Sequence, residues 1–180
     1  MISGRARAVE AAIELVGTGG LRALTHARVD EQAGLPKGST SNYFRTRDAL
    51  LAGVADGILE RELPAVGVAF DPRSAADLVD GLCALFDHLA SANRVVTTAR
   101  LVLFMEASHD AGLREALSRG RASMESLAVV PLARLGARDP RGAGLLIAAC
   151  FEGLLLHRIG RHDPTDPRPV FESVVSAALG

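Results

Sequence analysis

Between residues 37 and 43 the chain reads Lys37-Gly38-Ser39-Thr40-Ser41-Asn42-Tyr43, a cation followed by hydroxyls, an amide and a phenol. A helix serving the core would not spend so many consecutive positions on small polar side chains. A helix laid on DNA would, because hydroxyls, amides and a cation all find partners on phosphates and base edges. Other chemistry is poorly supported. Ser108-His109-Asp110 places a hydroxyl, an imidazole and a carboxylate side by side, but adjacent residues do not face one another as a catalytic triad must, and helix-end capping explains them. His157 and His162 are five apart, a spacing that suits no helical metal pair. No strand precedes a glycine-rich loop, so no phosphate-cradling motif is present. The expectation is a protein without catalytic residues, metal or cofactor.

The polar stretch needs a frame, and its neighbours supply one. Val29 and Ala33 are four apart and share one face of a short helix that Thr25 can cap with its hydroxyl. Gly34 follows, where a chain leaving a helix needs positive φ. Leu35 is an apolar plug between two helices, and Pro36 suits the first turn of the second, where a missing N–H does no harm. Phe44 anchors that second helix, and Thr46 with Asp48 opens another. The expected pattern is two short helices joined by a tight turn and followed by the start of a third. Thr25, Arg28 and Arg47 are placed for phosphate contact, against surface ion pairs for the two arginines. Lys37, Thr40, Asn42 and Tyr43 are expected on DNA rather than at a solvated helix end. Gly38 would let the backbone come close to the duplex instead of being only a tolerated helix glycine. Ser39 and Ser41 complete the polar surface.

Over residues 5–51 the chain resembles the DNA-binding domain of the tetracycline-repressor (TetR) family of bacterial transcription regulators. The resemblance rests on Leu24-Thr25, Ala33-Gly34-Leu35, Lys37-Gly38-Ser39, Tyr43-Phe44, and Arg47 with Leu50. Three positions depart from the family pattern. Asp30 stands where the family has a small alanine, Pro36 replaces a serine-like cap, and Ser41 replaces an aromatic. The resemblance implies a C-terminal helical bundle that houses a small-molecule pocket and forms a two-fold dimer.

Composition fits a globular regulator. Of 180 residues 48% are hydrophobic and 23% charged, an ordinary balance for a water-soluble chain. The net charge of −1 carries no nucleic-acid signal by itself. Residues 1–52 hold seven Lys/Arg against five Asp/Glu, giving +2, and the remainder holds 13 against 16, giving −3. The sign of that split suits an N-terminal DNA reader. Lys37 is the only lysine among 20 basic residues. Cys83 and Cys150 lie in apolar helical stretches and read as buried free thiols of a reducing cytoplasm. Charges interrupt the N-terminus before a signal sequence can form. The longest apolar stretch, 143–156, contains Glu152 and is short for a membrane span. A cytoplasmic protein with no membrane partner is expected.

Helical periodicity continues to the C-terminus with no strand-period segment and no repeat. Expected helices cover 3–16, ending at Gly17-Thr18-Gly19-Gly20, then a fourth to about Leu63, closed by Pro64. Others follow over 74–89, 95–108, 111–135, 142–158 and 169–179, and the only internal break lies at 64–73. The expected fold class is therefore all-α: a helix-turn-helix domain at 1–51 and a helical ligand-binding and dimerisation domain at 52–180. Helix 142–158 is apolar nearly all round and must be covered on every side, which a second subunit would complete. Val170, Phe171, Val174 and Val175 are expected to share that contact, burying roughly 2,000 Å² or more in a homodimer. For an effector, Phe86, Leu101, Phe104, Met105 and Cys150 offer an apolar lining, and His88, Arg100 and Glu106 polar ends. A sealed core is the competing reading. Few aromatics favour a compact or aliphatic compound over a large planar one. The leading expectation is a ligand-responsive repressor that binds double-stranded operator DNA as a homodimer. An activator, or a repressor without effector, would use the same fold. A helical enzyme or binding bundle that no longer reads DNA is the alternative from another class.

Overall fold

The computed structural model describes residues 3–69 and 71–180, and every regular element among them is helical. Nine α-helices follow in order among the described residues. They are α1 Gly4–Gly19, α2 His26–Gln32, α3 Ser39–Tyr43, α4 Arg47–Ala69, α5 Ala75–Ala90, α6 Arg94–Glu106, α7 Ala111–Arg134, α8 Pro140–Gly160 and α9 Arg168–Leu179. A single 3-10 turn, Leu21–Ala23, joins α1 to α2. The all-α class expected from periodicity is correct.

Capping explains most boundaries. The Thr25 hydroxyl accepts the Arg28 N–H at 3.3 Å, and the Thr46 hydroxyl accepts that of Ala49 at 3.1 Å. Ser3, Ser74 and Asp139 accept from residues three further on, opening α1, α5 and α8. Pro140 takes the first turn of α8, where its missing N–H is harmless.

Two boundaries differ from expectation because a breaker residue is carried rather than obeyed. α1 runs through Gly17 and stops only at Gly20, whose φ of +68° turns the chain while its N–H returns to the Val16 carbonyl. α4 carries Pro64 inside it and ends at Ala69. A proline removes one helical hydrogen bond, and neighbouring turns hold α4 across that gap. The expected break at 64–73 is thereby shortened, and its residue 70 lies outside the described residues.

By compactness the described chain divides into two units. One comprises the chain up to Arg61 together with Arg94–Gly120; the other comprises Glu62–Asn93 and Arg121–Gly180. In the first, Val9, Ile13 and Val16 of α1 meet Val29, Phe44, Leu50, Val54 and Leu103 in one core. α1 and α6 touch at backbone distance, since a methyl group on Gly17 would collide with the Val95 carbonyl oxygen. Arg61 pairs with Glu10 and so ties α4 to α1 at the surface.

In the second unit the core is built around three rings. Phe86 meets Phe151 and Phe171 edge-on at 6.0 and 6.1 Å, and Phe151 stacks on Phe171 at 5.6 Å. The Arg158 guanidinium covers Phe86 at 4.9 Å and donates to the carbonyls of Asp163 and Thr165, holding the 161–167 loop. α8 buries one stripe, Ala143, Ile147, Phe151, Leu155 and Ile159, at successive four-residue steps. Its opposite face exposes Leu145 and Leu156, with Leu146 also exposed. At 21 residues, with mean hydropathy 1.5, α8 is longer than its apolar run and long enough by length and composition to cross a membrane. Its buried stripe is instead part of the protein core.

Candidate nucleic-acid interface

α2 and α3 form the expected hairpin, tied from three sides. The chain leaves α2 through Gly34, at φ +59°, and the Leu35 N–H returns to the Asp30 carbonyl at 2.8 Å. Arg7 of α1 donates to the carbonyls of Ala33 and Gly34, bracing that turn. His26 Nε2–H donates to the Phe44 carbonyl at 2.7 Å, which fixes the far end of α3 to the start of α2. Arg47 donates to the carbonyls of Leu24 and Leu21 at 2.9 and 3.3 Å. Arg47 therefore braces the 21–24 turn while its side chain stays exposed.

α3 is shorter than expected. Pro36 to Ser39 is a turn, closed by the Ser39 N–H on the Pro36 carbonyl at 3.1 Å, and α3 begins only at Ser39. Lys37 and Gly38 belong to that turn, so Pro36 does not open a helix. Gly38 is left-handed at φ +89°, with nothing within 4 Å of where a Cβ would lie. The glycine is required by backbone conformation, which penalises a side chain at positive φ.

Thr40 is a second correction. Expected on DNA, it is 0% exposed. Its hydroxyl donates to Asp30 Oδ1 at 2.6 Å, and its N–H reaches the same oxygen at 2.8 Å. Asp30 Oδ2 accepts the Gly38 N–H at 2.7 Å. Burial opposes ionisation of Asp30, but hydrogen bonds from the Thr40 hydroxyl and from the Thr40 and Gly38 amides outweigh it. They hold its carboxyl below the usual carboxylate range. In the sequence Asp30 stands out only as a departure from the family pattern. The usable signal is that a glycine at the N-cap position has no side chain, so the acceptor for the first turn has to come from elsewhere.

With Thr40 turned inward, Ser41, Asn42 and Tyr43 are turned outward and exposed. Ser39 is half-buried, and its hydroxyl donates to the Pro36 carbonyl at 2.6 Å. The Tyr43 phenol lies over Gly4 at the N-terminal end of α1. Thr25 is exposed; its oxygen serves the Arg28 amide, and its hydroxyl proton remains for another acceptor. Three of the seven basic side chains before residue 53 are engaged internally: Arg7, Arg47, and Arg5 over the Phe44 ring at 4.9 Å. Arg22, Arg28, Lys37 and Arg45 are exposed. Sequence reasoning missed Arg22 and Arg45, although a polar residue directly after the buried Phe44 has little choice but to face outward.

The eight residues expected around an effector are not gathered within one compact unit. Arg100, Leu101, Phe104, Met105 and Glu106 belong to the first; Phe86, His88 and Cys150 belong to the second. Phe86 is sealed in the three-ring core, His88 is exposed, and Met105 is 71% exposed. Phe104 is also exposed, with the Arg100 guanidinium 5.5 Å from its ring centre, while Leu101 is half-buried. Cys150 is half-buried, and burial raises its thiol pKa. A groove of about 540 Å³ in the second unit lies between Val79 of α5 and Val175 and Leu179 of α9, with Arg168 and Glu172 at its edge. None of the eight lines it.

The model of the tetracyclin repressor-like C-terminal domain matches residues 73–180. No functionally curated protein matches at a significant level. Solved structures match over nearly the whole chain. A transcriptional regulator from Rhodococcus sp. Rha1 superposes with TM-score 0.84 at 17% identity, covering 98% of this chain and 96% of its own. A TetR-family member from Streptomyces coelicolor A3 gives 0.79 at 22%, covering 99% of each chain. The multidrug binding protein EbrR, complexed with ethidium, gives 0.80 at 23%, again covering 99% of each. With an all-helical architecture and a matched C-terminal domain spanning more than half its length, the chain belongs to the TetR family of transcriptional regulators.

Proposed function

We propose that this regulator is a repressor that binds a palindromic operator as a homodimer and leaves it when a small molecule binds. Residues 1–51 read DNA, and 52–180 carry ligand and dimer contacts. The observation that carries the reading is the surface of α3. Ser41, Asn42 and Tyr43 are exposed together beside Lys37, Arg28 and Arg45, while apolar and charge-bonded groups behind them are buried. In the major groove Asn42 and Tyr43 reach base edges, and Thr25, Ser39, Ser41 and the cations reach phosphates. Gly38 brings the backbone of the preceding turn close to the duplex.

The homodimer is supported by α8. Leu145, Ala149, Gly153 and Leu156 fall within an arc of about 80° at helical spacing, and nothing lies against Gly153. Such a stripe is self-complementary across a two-fold axis. The expected share of α9 is corrected: Phe171, Val174 and Val175 are buried within the protomer, leaving Val170 exposed. Effector binding is supported by EbrR, a protein of the same fold that is complexed with ethidium. A ligand acts here only through unequal affinity for the DNA-competent and incompetent conformers.

The test is selection of bound fragments from random duplex DNA. Enrichment of a palindrome whose half-sites lie about one helical turn apart supports the reading. No enrichment overturns it in favour of a helical bundle that has ceased to read DNA.

A further inference from the structure

α3 has five residues, too few to persist on its own hydrogen bonds. Its N-cap residue is Gly38, which offers no side-chain acceptor to the first turn. The acceptor is supplied from α2, where the two oxygens of Asp30 take the Gly38 N–H, the Thr40 N–H and the Thr40 hydroxyl at 2.6–2.8 Å. Bonds to an ionised acceptor are roughly twice as strong as neutral ones. Both Asp30 and Thr40 are buried, at 4% and 0% exposed.

We propose that Asp30 is the positioning residue of the reading helix: through Thr40 and the Gly38 amide it fixes the rotation of α3, and so which side chains face DNA. This rests on the DNA-reading role proposed above. The geometry separates positioning from folding. The apolar anchors of this region, Val29, Phe44 and Leu50, sit in the core of the first unit and do not depend on the carboxylate. Releasing the clamp frees a five-residue helix to rotate or fray while that core stays closed. The outward set Ser41, Asn42 and Tyr43 then loses its register, and base recognition suffers more than phosphate attraction, which depends on charge and little on angle.

The test compares full-length wild type with Asp30→Ala, Asp30→Asn, Thr40→Ser and Thr40→Val. The probes are the duplex that wild type enriches from a random pool and a scrambled duplex of the same composition. Asp30→Ala lowers affinity for the enriched duplex by about 10- to 100-fold, the scale of removing one or two base-edge hydrogen-bond pairs. Its affinity for the scrambled duplex changes by less than about threefold, as charge-driven binding predicts. Thr40→Ser, which keeps the hydroxyl, retains the wild-type ratio; Thr40→Val does not. Amide exchange at Gly38 and Thr40 accelerates in Asp30→Ala, with the protected amides of α1 unchanged. If Asp30→Ala is folded and keeps the wild-type ratio, the inference fails and the DNA reading stands. Where Asp30→Ala does not fold, Asp30→Asn and Thr40→Val, which preserve volume, decide by the same ratio. If wild type enriches no duplex, the DNA reading fails and carries this inference with it.

Discussion

Placing glutamate at Leu145 and Leu156 tests the proposed subunit contact, and its magnitude follows from exposure. The two leucines are 49% and 50% exposed on the protomer. Full burial of a leucine stabilises by about 1.5–3 kcal/mol, so the remaining half is worth about 1 kcal/mol each. A two-fold contact counts each residue twice, giving about 4 kcal/mol, or about a thousandfold in dissociation constant. Glutamate adds the cost of desolvating a charge, so this is a lower bound. Sedimentation equilibrium is the assay, with circular dichroism to confirm that helicity is retained. Wild type should be dimeric at about 10 μM and the double variant mostly monomeric, for a wild-type constant of about 100 nM. A wild-type monomer at that concentration refutes the reasoning, as does a helical double variant that dimerises like wild type. Charge at Phe171 would not serve, because that ring is 0% exposed and its loss would open the three-ring core instead.

Lys37→Ala should weaken binding to all duplexes alike and lower the salt slope by about one unit for each phosphate it no longer neutralises, whereas Asn42→Ala should change base preference at about 1–3 kcal/mol. Fluorescence titrations at several salt concentrations separate the two. Because Lys37 is the only lysine, amine labelling should show it protected by the enriched duplex. Gly38→Ala should destabilise by about 1–2 kcal/mol, read by urea unfolding, because φ +89° strains a Cβ even in open space. The Asp30 carboxyl, followed by carbon-13 NMR, should titrate below the ordinary carboxylate range. A depressed pKa stabilises above the unfolded value and is lost as pH falls through the folded one, so its contribution should be undiminished from pH 8 to 5 and vanish only in acid. A midpoint above about 4 would contradict the clamp.

Local signals carried much of the architecture. Apolar spacing of three and four placed the helices, and Thr25 and Thr46 marked starts where their hydroxyls do accept amides. Gly34 signalled the turn correctly, because positive φ is a property of the chain at that point. What failed depended on distant partners. Thr40 reads as polar and outward, and only the fold shows Asp30 waiting ten residues earlier. Arg47 reads only as a phosphate ligand, and its bonds to two carbonyls of the 21–24 turn appear only in the fold. Phe86 reads equally well as pocket wall or core until Phe151 and Phe171 arrive from residues far along the chain. Gly17 and Pro64 were overrated as stops, since packing along α1 and α4 outweighs a local penalty of a few kcal/mol.

The close approach at Gly17 has a mechanical consequence. Where two helices meet through long side chains, rotamer changes can absorb a small shift before either axis moves. α1 and α6 meet at the Val95 carbonyl with no room for even a methyl group between them, so that cushion is missing. A push on α6 toward α1 passes from backbone to backbone, like one gear tooth bearing on another. Arg7 carries it onward, because the residue that braces the α2–α3 turn is itself rooted in α1. Any widening at position 17 would therefore do more than loosen the packing there: it would introduce backlash into the linkage between α6 and the α2–α3 turn.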